Sequence, residues 1–341
     1  MAKSDTIRQL DDYFRRENIR NVLILTDKNV DCLYGDYFSE LSEHVAVDKL
    51  VLRPGEKSKS IQTAAQVWNY LAEKQYDKDT FLLNFGGGMI TDLGGFVAST
   101  YKRGIRFANV PTTLLAMIDA AVGGKTGINL PSMKNGIGTI YFPDIQLPVD
   151  LSFLSTLHIN EIFSGLGELL KYALIGSNEL FHSLRERTRF PSLTTDDVDF
   201  CIDFKMKIVR EDPYDKGIRH ILNFGHTIGH AIESYHAKNG NPIAHGLAVA
   251  QGLYYESLLS TKLGHLPQEE WQSIAALLTK HFQIMPITDN IFDKLLHFML
   301  NDKKNHNNMI NFTLLDHIGH AIPDFQIPSS ELRTYMSHLT M

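Results

Sequence analysis

The sequence predicts an α/β domain followed by a mainly helical domain. In the first half, short apolar runs alternate with segments of helical periodicity, which is typical of a mostly parallel sheet covered by helices. After about residue 155 the strand-like runs give way to amphipathic helical patterns. We therefore predict an α/β domain over 1–155 and a helical domain over 156–341, with a ligand in the cleft between them.

An amphipathic helix opens the first half, and four buried strands are predicted after it, at Asn21–Thr26, Lys49–Arg53, Thr80–Phe85 and Phe107–Val110. Ile61–Gln75 has helical periodicity and lies between the second and third strands. The helices predicted in the second half are Glu161–Ile175, Asp196–Glu211, Gly225–His236, Gly246–Leu263, Gln268–His281 and Ile291–Leu300. Only Met309–Leu315 has strand character there.

Composition and charge argue against several classes of protein. With 43% hydrophobic residues the chain can form a large core, and its net charge of −6 argues against nonspecific nucleic-acid binding, which needs clustered cations. The two cysteines, Cys32 and Cys201, are too few for a disulfide framework. Because the first residues lack an apolar signal and no run is long enough to cross a membrane, we expect a soluble, cytoplasmic protein.

A glycine-rich segment follows the third predicted strand. Gly86, Gly87 and Gly88 end that strand and open a helix, whose N-terminal N–H groups would favour a pyrophosphate. The spacing differs from the G-x-G-x-x-G pattern, and a tight strand-to-helix turn explains it equally well. Thr112 and Thr113 follow the fourth strand and suit contacts to ribose or phosphate, although they would also serve as a helix N-cap pair.

Two histidines at positions i and i+4 predict a metal site. His226 and His230 would lie on one face of a helix, and His245 follows in a segment that we expect to be a loop. Together with Glu168 on an earlier helix, they form a set of imidazoles and carboxylate that is typical of catalytic zinc. From the spacing alone, we predict that both His226 and His230 are metal ligands. Because the chain has 15 histidines, such a pair also arises by chance, and a solvated helix face is the alternative.

Several cationic side chains lie near these motifs, some in segments that we expect to be glycine-rich loops. They are Lys125, Lys134 with its neighbour Asn135, Lys171, Lys205, Arg219 and Lys304. A small ligand with phosphate and carboxylate groups would need such a set, because charge-assisted hydrogen bonds hold each anion best. For any one of these residues taken alone, an ordinary surface cation is the simpler explanation.

Four long motifs resemble the 3-dehydroquinate synthase family of the sugar-phosphate cyclases. They begin at Gly86 (GGGMITDLGGFVASTYKRGIRFANVPTTLLAMIDAAVGGKTGINLP), Met133 (MKNGIGTIYFP), Gly165 (GLGELLKYALI) and Arg219 (RHILNFGHTIGHAIE). The resemblance runs from about Asp27 to Lys304. It implies a Rossmann-like NAD-binding α/β domain, a helical metal-binding domain and a homodimer.

The resemblance also assigns roles to residues. It implies that Glu168, His226 and His245 hold Zn²⁺ or Co²⁺, which makes His230 a substrate contact. The residues that it assigns to NAD are Asp27, Glu56, Lys59, Gly87, Gly88, Asp92, Thr112, Thr113, Asp119, Lys125, Lys134, Phe153 and Thr156. Those that it assigns to the substrate are Lys125, Asn135, Lys171, Lys205, Arg219, Asn223 and Lys304, and it implies that Arg103 reaches the neighbouring subunit's site.

The chain departs from the family pattern beside the third metal ligand. Leu247 stands where the family usually has glutamate, Asp215 replaces a more usual glutamate, and the stretch from His226 to His245 is slightly longer than usual. The change at position 247 removes a carboxylate that would otherwise lie close to a metal ligand. We therefore expect this chain to differ from its family in the surroundings of His245.

The activity that the resemblance implies is the conversion of 3-deoxy-D-arabino-heptulosonate 7-phosphate to 3-dehydroquinate and phosphate in the shikimate pathway. Oxidation at C5 by NAD, loss of phosphate, return of the hydride and an aldol closure would leave NAD unconsumed. The alternatives are another sugar-phosphate cyclase, a metal-dependent glycerol or alcohol dehydrogenase, and a binding protein without activity. Lys205, Arg219 and Asn223 favour a substrate that carries a carboxylate.

Overall fold

The computed structural model describes residues 5–41, 45–131, 133–187, 192–301 and 308–336. The chain divides into two compact units, Met1–Leu157 and His158–Met341. Among the described residues, no helix combines the length and the apolar character that crossing a bilayer would require.

Four parallel strands form the centre of the first unit: β1 (Asn21–Asp27), β2 (Ala46–Leu52), β3 (Phe81–Gly86) and β4 (Arg106–Pro111), in the order β2-β1-β3-β4. The helices of this unit are α1 (Asp5–Arg16), α2 (Lys28–Tyr34), α3 (Ile61–Glu73) and α4 (Gly88–Thr100). The four predicted strands are confirmed. Strands β1 and β3 were recognisable because strands that are covered on both faces are continuous apolar runs, and β3 is buried along its whole length.

The strand order creates a switch point at the carboxyl edge of this sheet. The chain runs from β1 outward to β2 and then returns to form β3 on the other side of β1. The segments that follow β1 and β3 therefore leave the sheet in opposite directions, and a crevice opens between their first residues. Asp27 ends β1, and Gly87 follows β3, so both border this crevice.

A second, antiparallel sheet in the first unit corrects one expectation. Lys125, Lys134 and Asn135 were expected in glycine-rich loops, but they lie on a hairpin formed by β5 (Lys125–Leu130) and β6 (Met133–Ile140). Gly127 and Gly138 face each other across this hairpin. A Cβ on Gly138 would lie 2.4 Å from the carbonyl oxygen of Thr126, so close backbone pairing is the reason for glycine here.

The second unit is mainly helical, as predicted. Its elements are α5 (Ile159–Gly176), α6 (Asn178–Glu186), α7 (Thr195–Glu211), α8 (His226–Lys238), α9 (His245–Lys262), α10 (Gln268–His281), α11 (Asp289–Leu300), β7 (Met309–His317), β8 (His320–Pro328) and α12 (Ser329–Met336). The expectation that Met309–Leu315 is the only strand of this half is wrong, because β7 pairs with β8 in an antiparallel hairpin. His245, expected in a loop, is the first residue of α9.

Glycines bring the helices of the second unit into direct backbone contact. A Cβ on Gly246 of α9 would lie 1.7 Å from the carbonyl oxygen of Ser164 on α5, and one on Gly167 would lie 2.0 Å from the carbonyl oxygen of Gly246. A Cβ on Gly252 of α9 would lie 1.8 Å from the carbonyl oxygen of Gly225, at the start of α8. Helix α9 is therefore held against α5 and α8 at distances that no larger residue allows.

Candidate functional site

The three predicted metal ligands are each next to one of these glycines. Glu168 follows Gly167 on α5, His226 follows Gly225 at the start of α8, and His245 precedes Gly246 at the start of α9. The close approach of the three helices therefore brings the three side chains together, although they are up to 77 positions apart in the sequence.

The distances between the ligand atoms match the spacing in a tetrahedral metal site. Nε2 of His226 lies 3.4 Å from Oε1 of Glu168, and Nε2 of His245 lies 3.3 Å from the same oxygen. Two ligands at zinc bond lengths of about 2.0–2.1 Å and a tetrahedral angle are about 3.3 Å apart. Both distances to Oε1 thus already equal the separation that an ion between these ligands would impose.

The hydrogen bonds that the Nδ1 atoms of the two imidazoles make also favour a metal site. Nδ1 of His226 lies 3.1 Å from the carbonyl oxygen of Phe224, and Nδ1 of His245 lies 3.1 Å from Oε2 of Glu233. Because both partners accept, each Nδ1–H donates, and Nε2 of each ring, which offers a lone pair when it carries no proton, is directed towards Glu168. Three electron-pair donors converge on one point, an arrangement that suits a divalent cation.

Charge at this point is balanced by a proton when no ion is bound. Burial lowers the pKa of His226 to about 4, so this ring is neutral at pH 7. Burial also disfavours a charged His245, but the carboxylates of Glu168 and Glu233, which its two ring nitrogens face, outweigh burial and raise its pKa to about 10. Either a proton on His245 or a metal ion therefore faces the Glu168 carboxylate.

Lys171 holds the other oxygen of the carboxylate. Its Nζ lies 2.6 Å from Oε2 of Glu168, and the side chains are 2% and 0% exposed, respectively. Burial alone would raise the pKa of Glu168, but Lys171 and His226 outweigh it and hold the pKa well below its usual range. Within the described part of the chain, neither Glu168 oxygen accepts a hydrogen bond of good geometry, so Oε1 retains capacity for a ligand.

His230 lies beside the three ligands, on the exposed side of the cluster. Its ring centre is 5.2 Å from that of His226 and 5.6 Å from that of His245, and one nitrogen of each of the three rings lies within 4.8 Å of the others. Two ligand sets are therefore compatible with the geometry, and they share His226 and His245. We favour Glu168 as the third ligand because it is fully buried between both Nε2 atoms, whereas His230 is exposed.

Three predicted substrate residues are cations buried in the second unit. Lys171, Lys205 and Arg219 are 2%, 7% and 2% exposed. They lie on α5, on α7 and in the 3₁₀ segment Ile218–Asn223, three elements that pack against one another. Asn223 ends the same 3₁₀ segment. Buried cations on packed elements form an environment that favours an anionic ligand. Lys304 lies outside the described residues.

Glu256 is a residue of this site that the sequence did not indicate. Its side chain is fully buried on α9, and its carboxylate accepts hydrogen bonds from the backbone N–H groups of Gly225 and Ile228, at 2.7 and 2.8 Å. It thereby fills the N-terminus of α8, where the helix dipole favours an anion. Glu256 holds the turn that carries His226. No local pattern predicts this contact, because the two partners are 31 and 28 residues away in the sequence.

In the first unit, the predicted nucleotide residues cluster at the carboxyl edge of the sheet. Gly87 is the N-cap residue of α4, and its missing Cβ leaves room for Thr113, whose Cγ2 would lie only 2.9 Å away. Asp27 accepts hydrogen bonds from two N–H groups at the start of α2, and Thr113 accepts one from Ala116. Both side chains therefore also cap helices. Thr112 is buried beside Thr113, and Gly88 begins α4.

A buried lysine, itself a predicted residue, joins three others. Lys59 is 4% exposed, and its Nζ forms an ion pair with Asp92, contacts Oδ1 of Asn135 at 2.5 Å and lies 3.9 Å from Oε1 of Glu56. Asn129 connects the same group, donating to Glu56 and accepting from the backbone N–H of Asn135. Residues assigned to NAD and to the substrate are thus brought together.

The remaining predicted residues of this unit are more dispersed. Phe153 is 1% exposed and packs edge-on against Tyr34 and Phe85, so it is a core residue, and its contact with a nucleotide stays a prediction. Thr156 is hydrogen-bonded to the hydroxyl of Tyr34 at 2.7 Å. The others are Asp119 in the π-helical turn Ala116–Ala120, the exposed Lys125 and Lys134 on the hairpin, and the exposed Arg103 at a φ of 66°.

A further group of potential ligands lies at the tip of the β7–β8 hairpin. Asp316, His317 and His320 bring one donor atom each to within 4.8 Å. Both imidazoles are 58% exposed, and Oδ1 of Asp316 lies within 2.9 Å of each Nδ1. The imidazoles and the carboxylate thus pair with one another at the surface, as solvated polar groups do.

Solved structures with this fold first define a class of protein. The chain is similar to 2-epi-5-epi-valiolone synthase from Streptomyces hygroscopicus subsp. jinggangensis 5008 with NAD⁺ and Zn²⁺ bound (25% identity, TM-score 0.81, 94% of this chain and 91% of that chain). It shares its fold with 2-deoxy-scyllo-inosose synthase complexed with carbaglucose-6-phosphate, NAD⁺ and Co²⁺ (24% identity, TM-score 0.81, 96% of this chain and 93% of that chain). A probable glycerol dehydrogenase from Sinorhizobium meliloti 1021 is more distant (14% identity, TM-score 0.60, 98% of this chain and 94% of that chain). The fold is that of the cyclase and dehydrogenase class.

Sequence comparison narrows this class to one family. The 3-dehydroquinate synthase N-terminal profile matches residues 49–164, and the C-terminal profile matches residues 165–305. The 3-dehydroquinate synthase of Parabacteroides distasonis is 39% identical over 318 residues, which covers 92% of this chain and 90% of that protein. That of Alkaliphilus oremlandii is 41% identical over 299 residues, covering 86% and 82%. The chain belongs to the 3-dehydroquinate synthase family.

Proposed function

We propose that this chain converts 3-deoxy-D-arabino-heptulosonate 7-phosphate to 3-dehydroquinate and phosphate, with a divalent metal and NAD as cofactors. The observation that carries this proposal is the cluster of Glu168, His226 and His245, in a chain whose two halves match the two parts of the family. Zn²⁺ and Co²⁺ both suit two imidazoles and one carboxylate. NAD⁺ accompanies such an ion in two solved structures of the same fold.

Each cofactor would supply chemistry that side chains lack. When bound, the ion supplies a Lewis acid for a substrate oxygen, and NAD supplies a hydride acceptor that can return the hydride. The residues that would hold the ion are Glu168, His226 and His245, whose ligand atoms are already spaced for it. The chain's own contribution is then to bind and orient the substrate.

The buried cations would hold the substrate's anionic groups. Lys205 and Arg219, with Asn223, suit the carboxylate, and Lys171 offers an ammonium next to the metal ligand Glu168. Charge-assisted hydrogen bonds in a buried site are strong and directional. A substrate that lacks the carboxylate would leave part of this cationic group unused, which supports the sugar acid over the neutral sugar phosphates.

The carboxyl edge of the first unit's sheet would bind NAD. Gly87 and Gly88 let the pyrophosphate approach the N-terminus of α4, where the N-cap residue Gly87 has no side chain to cap the first turn. Asp27 and Thr112 lie at the ends of neighbouring strands, where dinucleotides bind in open α/β sheets. Lys59, held by Asp92, completes this group.

The test is a coupled measurement of both products. Metal-loaded protein is incubated with NAD and the heptulosonate phosphate, and inorganic phosphate and 3-dehydroquinate are quantified together. We expect equal amounts of the two products and no accumulation of NADH. A metal-loaded sample that releases no phosphate from this compound would refute the proposal.

The second candidate is a metal-dependent alcohol dehydrogenase, and the fold shared with a probable glycerol dehydrogenase favours it. That activity would accumulate NADH from an alcohol without releasing phosphate. The same assay, run with glycerol in place of the sugar acid, therefore separates the two candidates.

We further propose that the protein is a homodimer in which Arg103 contributes to the neighbouring site. The β5–β6 hairpin and the residues after it carry five apolar side chains that are between 37% and 41% exposed, and such a concentration of exposed apolar side chains is typical of an interface. They are Leu130, Met133, Ile137, Ile140 and Phe142. Light scattering of the wild type and of Ile137→Asp tests the dimer, which the variant should weaken.

Mixing two inactive variants tests Arg103. Arg103→Ala lacks the arginine, and His226→Ala lacks a metal ligand. A mixed dimer would hold one intact site, so random reassociation should restore roughly a quarter of wild-type activity. Absence of any recovery in a mixture shown to contain mixed dimers would exclude the role of Arg103 across the interface.

A further inference from the structure

The imidazole of His245 is backed by a carboxylate from the neighbouring helix. Glu233 lies on α8, its side chain is 12% exposed, and its Oε2 is 3.1 Å from Nδ1 of His245. The carboxylate accepts the Nδ1–H, which leaves Nε2 for an ion. The same Nε2 is 3.3 Å from Oε1 of Glu168, so the bond to Glu233 aligns the ring along the line between the two carboxylates.

His226 does not need such a partner. It is 8% exposed, and its Nδ1–H donates to the backbone carbonyl of Phe224. The side chain of His245 is 28% exposed and belongs to the first residue of α9, whose N-cap residue Ala244 provides no side-chain cap. The orientation of His245 therefore depends on Glu233 more than the orientation of His226 depends on any side chain.

We propose that Glu233 is a positioning residue for the metal ligand His245. It fixes the tautomer, holds the ring towards Glu168 and strengthens Nε2 as an electron-pair donor, as a carboxylate behind a ligating histidine does. Leu247 offers no carboxylate on α9, and the chain meets this requirement from α8. The inference rests on the proposed function, because it requires an ion held by Glu168, His226 and His245.

The experiment measures metal affinity directly. Zn²⁺ affinity is determined by competition with a chromophoric chelator for the wild type, Glu233→Gln and Glu233→Ala, and the Co²⁺ absorption spectrum is recorded for each. All three proteins, including the reference called wild type here, carry His317→Ala and His320→Ala in addition, so that the surface group at the hairpin tip binds no second ion. We expect Zn²⁺ affinity to fall about ten- to a hundredfold in Glu233→Ala and less in Glu233→Gln, whose amide oxygen still accepts the Nδ1–H.

Two further variants separate positioning from general stability. Asp197→Asn removes a buried carboxylate that pairs with Arg187 in the same unit, so it should lower stability and leave the Zn²⁺ affinity and the Co²⁺ spectrum unchanged. Leu247→Glu restores the residue usual in the family and should change the affinity little, because Nδ1 of His245 is already engaged.

The outcomes distinguish this inference from the proposed function. If the wild type binds no Zn²⁺, both fail. If the wild type binds Zn²⁺ and both Glu233 variants retain its affinity and its Co²⁺ spectrum, the positioning role is refuted and the proposed function stands. A large gain in affinity from Leu247→Glu would also overturn the inference, since it would show that His245 lacks a carboxylate partner in the wild type.

Discussion

Adding one methyl group at Gly246 should abolish tight metal binding without touching a ligand. The Cβ of Gly246→Ala would lie 1.7 Å from the carbonyl oxygen of Ser164 on α5, and 2.6 and 2.9 Å from the carbonyl carbon and Cα of the same residue. All three atoms belong to the backbone, so no side-chain rotation can relieve the clash. Helix α9 must move away from α5.

The size of this movement can be worked out from the contact. A carbon and a carbonyl oxygen approach to about 3.3 Å, so the helices must separate by roughly 1.5 Å at this point. His245 is the residue before Gly246, and Glu168 lies one turn from Ser164, so most of this shift enters the His245–Glu168 distance of 3.3 Å. Metal sites tolerate deviations of about 0.2 Å. We expect Zn²⁺ affinity to fall by more than about a hundredfold, and the free energy of unfolding by about 3 kcal/mol.

Chelator competition measures the affinity, and urea unfolding of the metal-free protein measures the stability. Gly264→Ala is the matched control, because Gly264 has a φ of +80°, a methyl group added there would meet nothing within 4 Å, and the residue lies at the far end of α9. This substitution should lower stability by about 1 kcal/mol through backbone strain and leave the affinity intact. A folded Gly246→Ala that binds Zn²⁺ as tightly as the wild type would refute the reasoning.

Three other predictions follow from the contacts described above. Removal of the ion with a chelator should stop phosphate release, and adding Zn²⁺ or Co²⁺ should restore it in the product assay. Lys171→Ala should impair turnover and also cost the metal-free protein about 3–5 kcal/mol in urea unfolding, because it leaves the Glu168 carboxylate buried without its cation. Burial alone would raise the pKa of Asp197, but hydrogen bonds from Arg187 outweigh it and lower the pKa below its usual 3.8. The stabilisation is therefore complete above pH 3.8 and is lost as the pH falls through the lowered pKa, so Asp197→Asn should flatten the acid limb of the stability curve.

The sequence was sufficient for the parts of the fold whose burial pattern is simple. The sheet strands β1 and β3 are continuous apolar runs, helix α5 has an apolar face, and helix α9 is a long segment that is buried over most of its length, so local patterns predicted them. The hairpin β5–β6 is mostly exposed and contains glycines in both strands, so it was mistaken for loops. Strand β8 escaped prediction because it contains two prolines and exposed polar residues.

In the candidate site too, local patterns predicted some residues, and contacts between helices determine the others. Helical spacing predicted His226 and His230 as ligands, and only the resemblance to the family moved His230 out of the ligand set. Glu233 and Glu256 were missed, because each acts on a residue of another helix that only the tertiary fold brings near. A lone glutamate on a helix is usually a solvated residue, and only its burial distinguishes Glu256 from that case.

The contact between bare backbones at the helix crossings has a consequence for protein engineering. A designer who copies only the two histidines and the glutamate onto another helical bundle will place them too far apart, since ordinary helices are kept 8–10 Å apart by their side chains, about the usual interaxial distance. Reproducing this site elsewhere means grafting Gly167, Gly225, Gly246 and Gly252 together with the ligands. The part that must be transferred is the set of three closely packed helices, because their packing determines where the ligands lie.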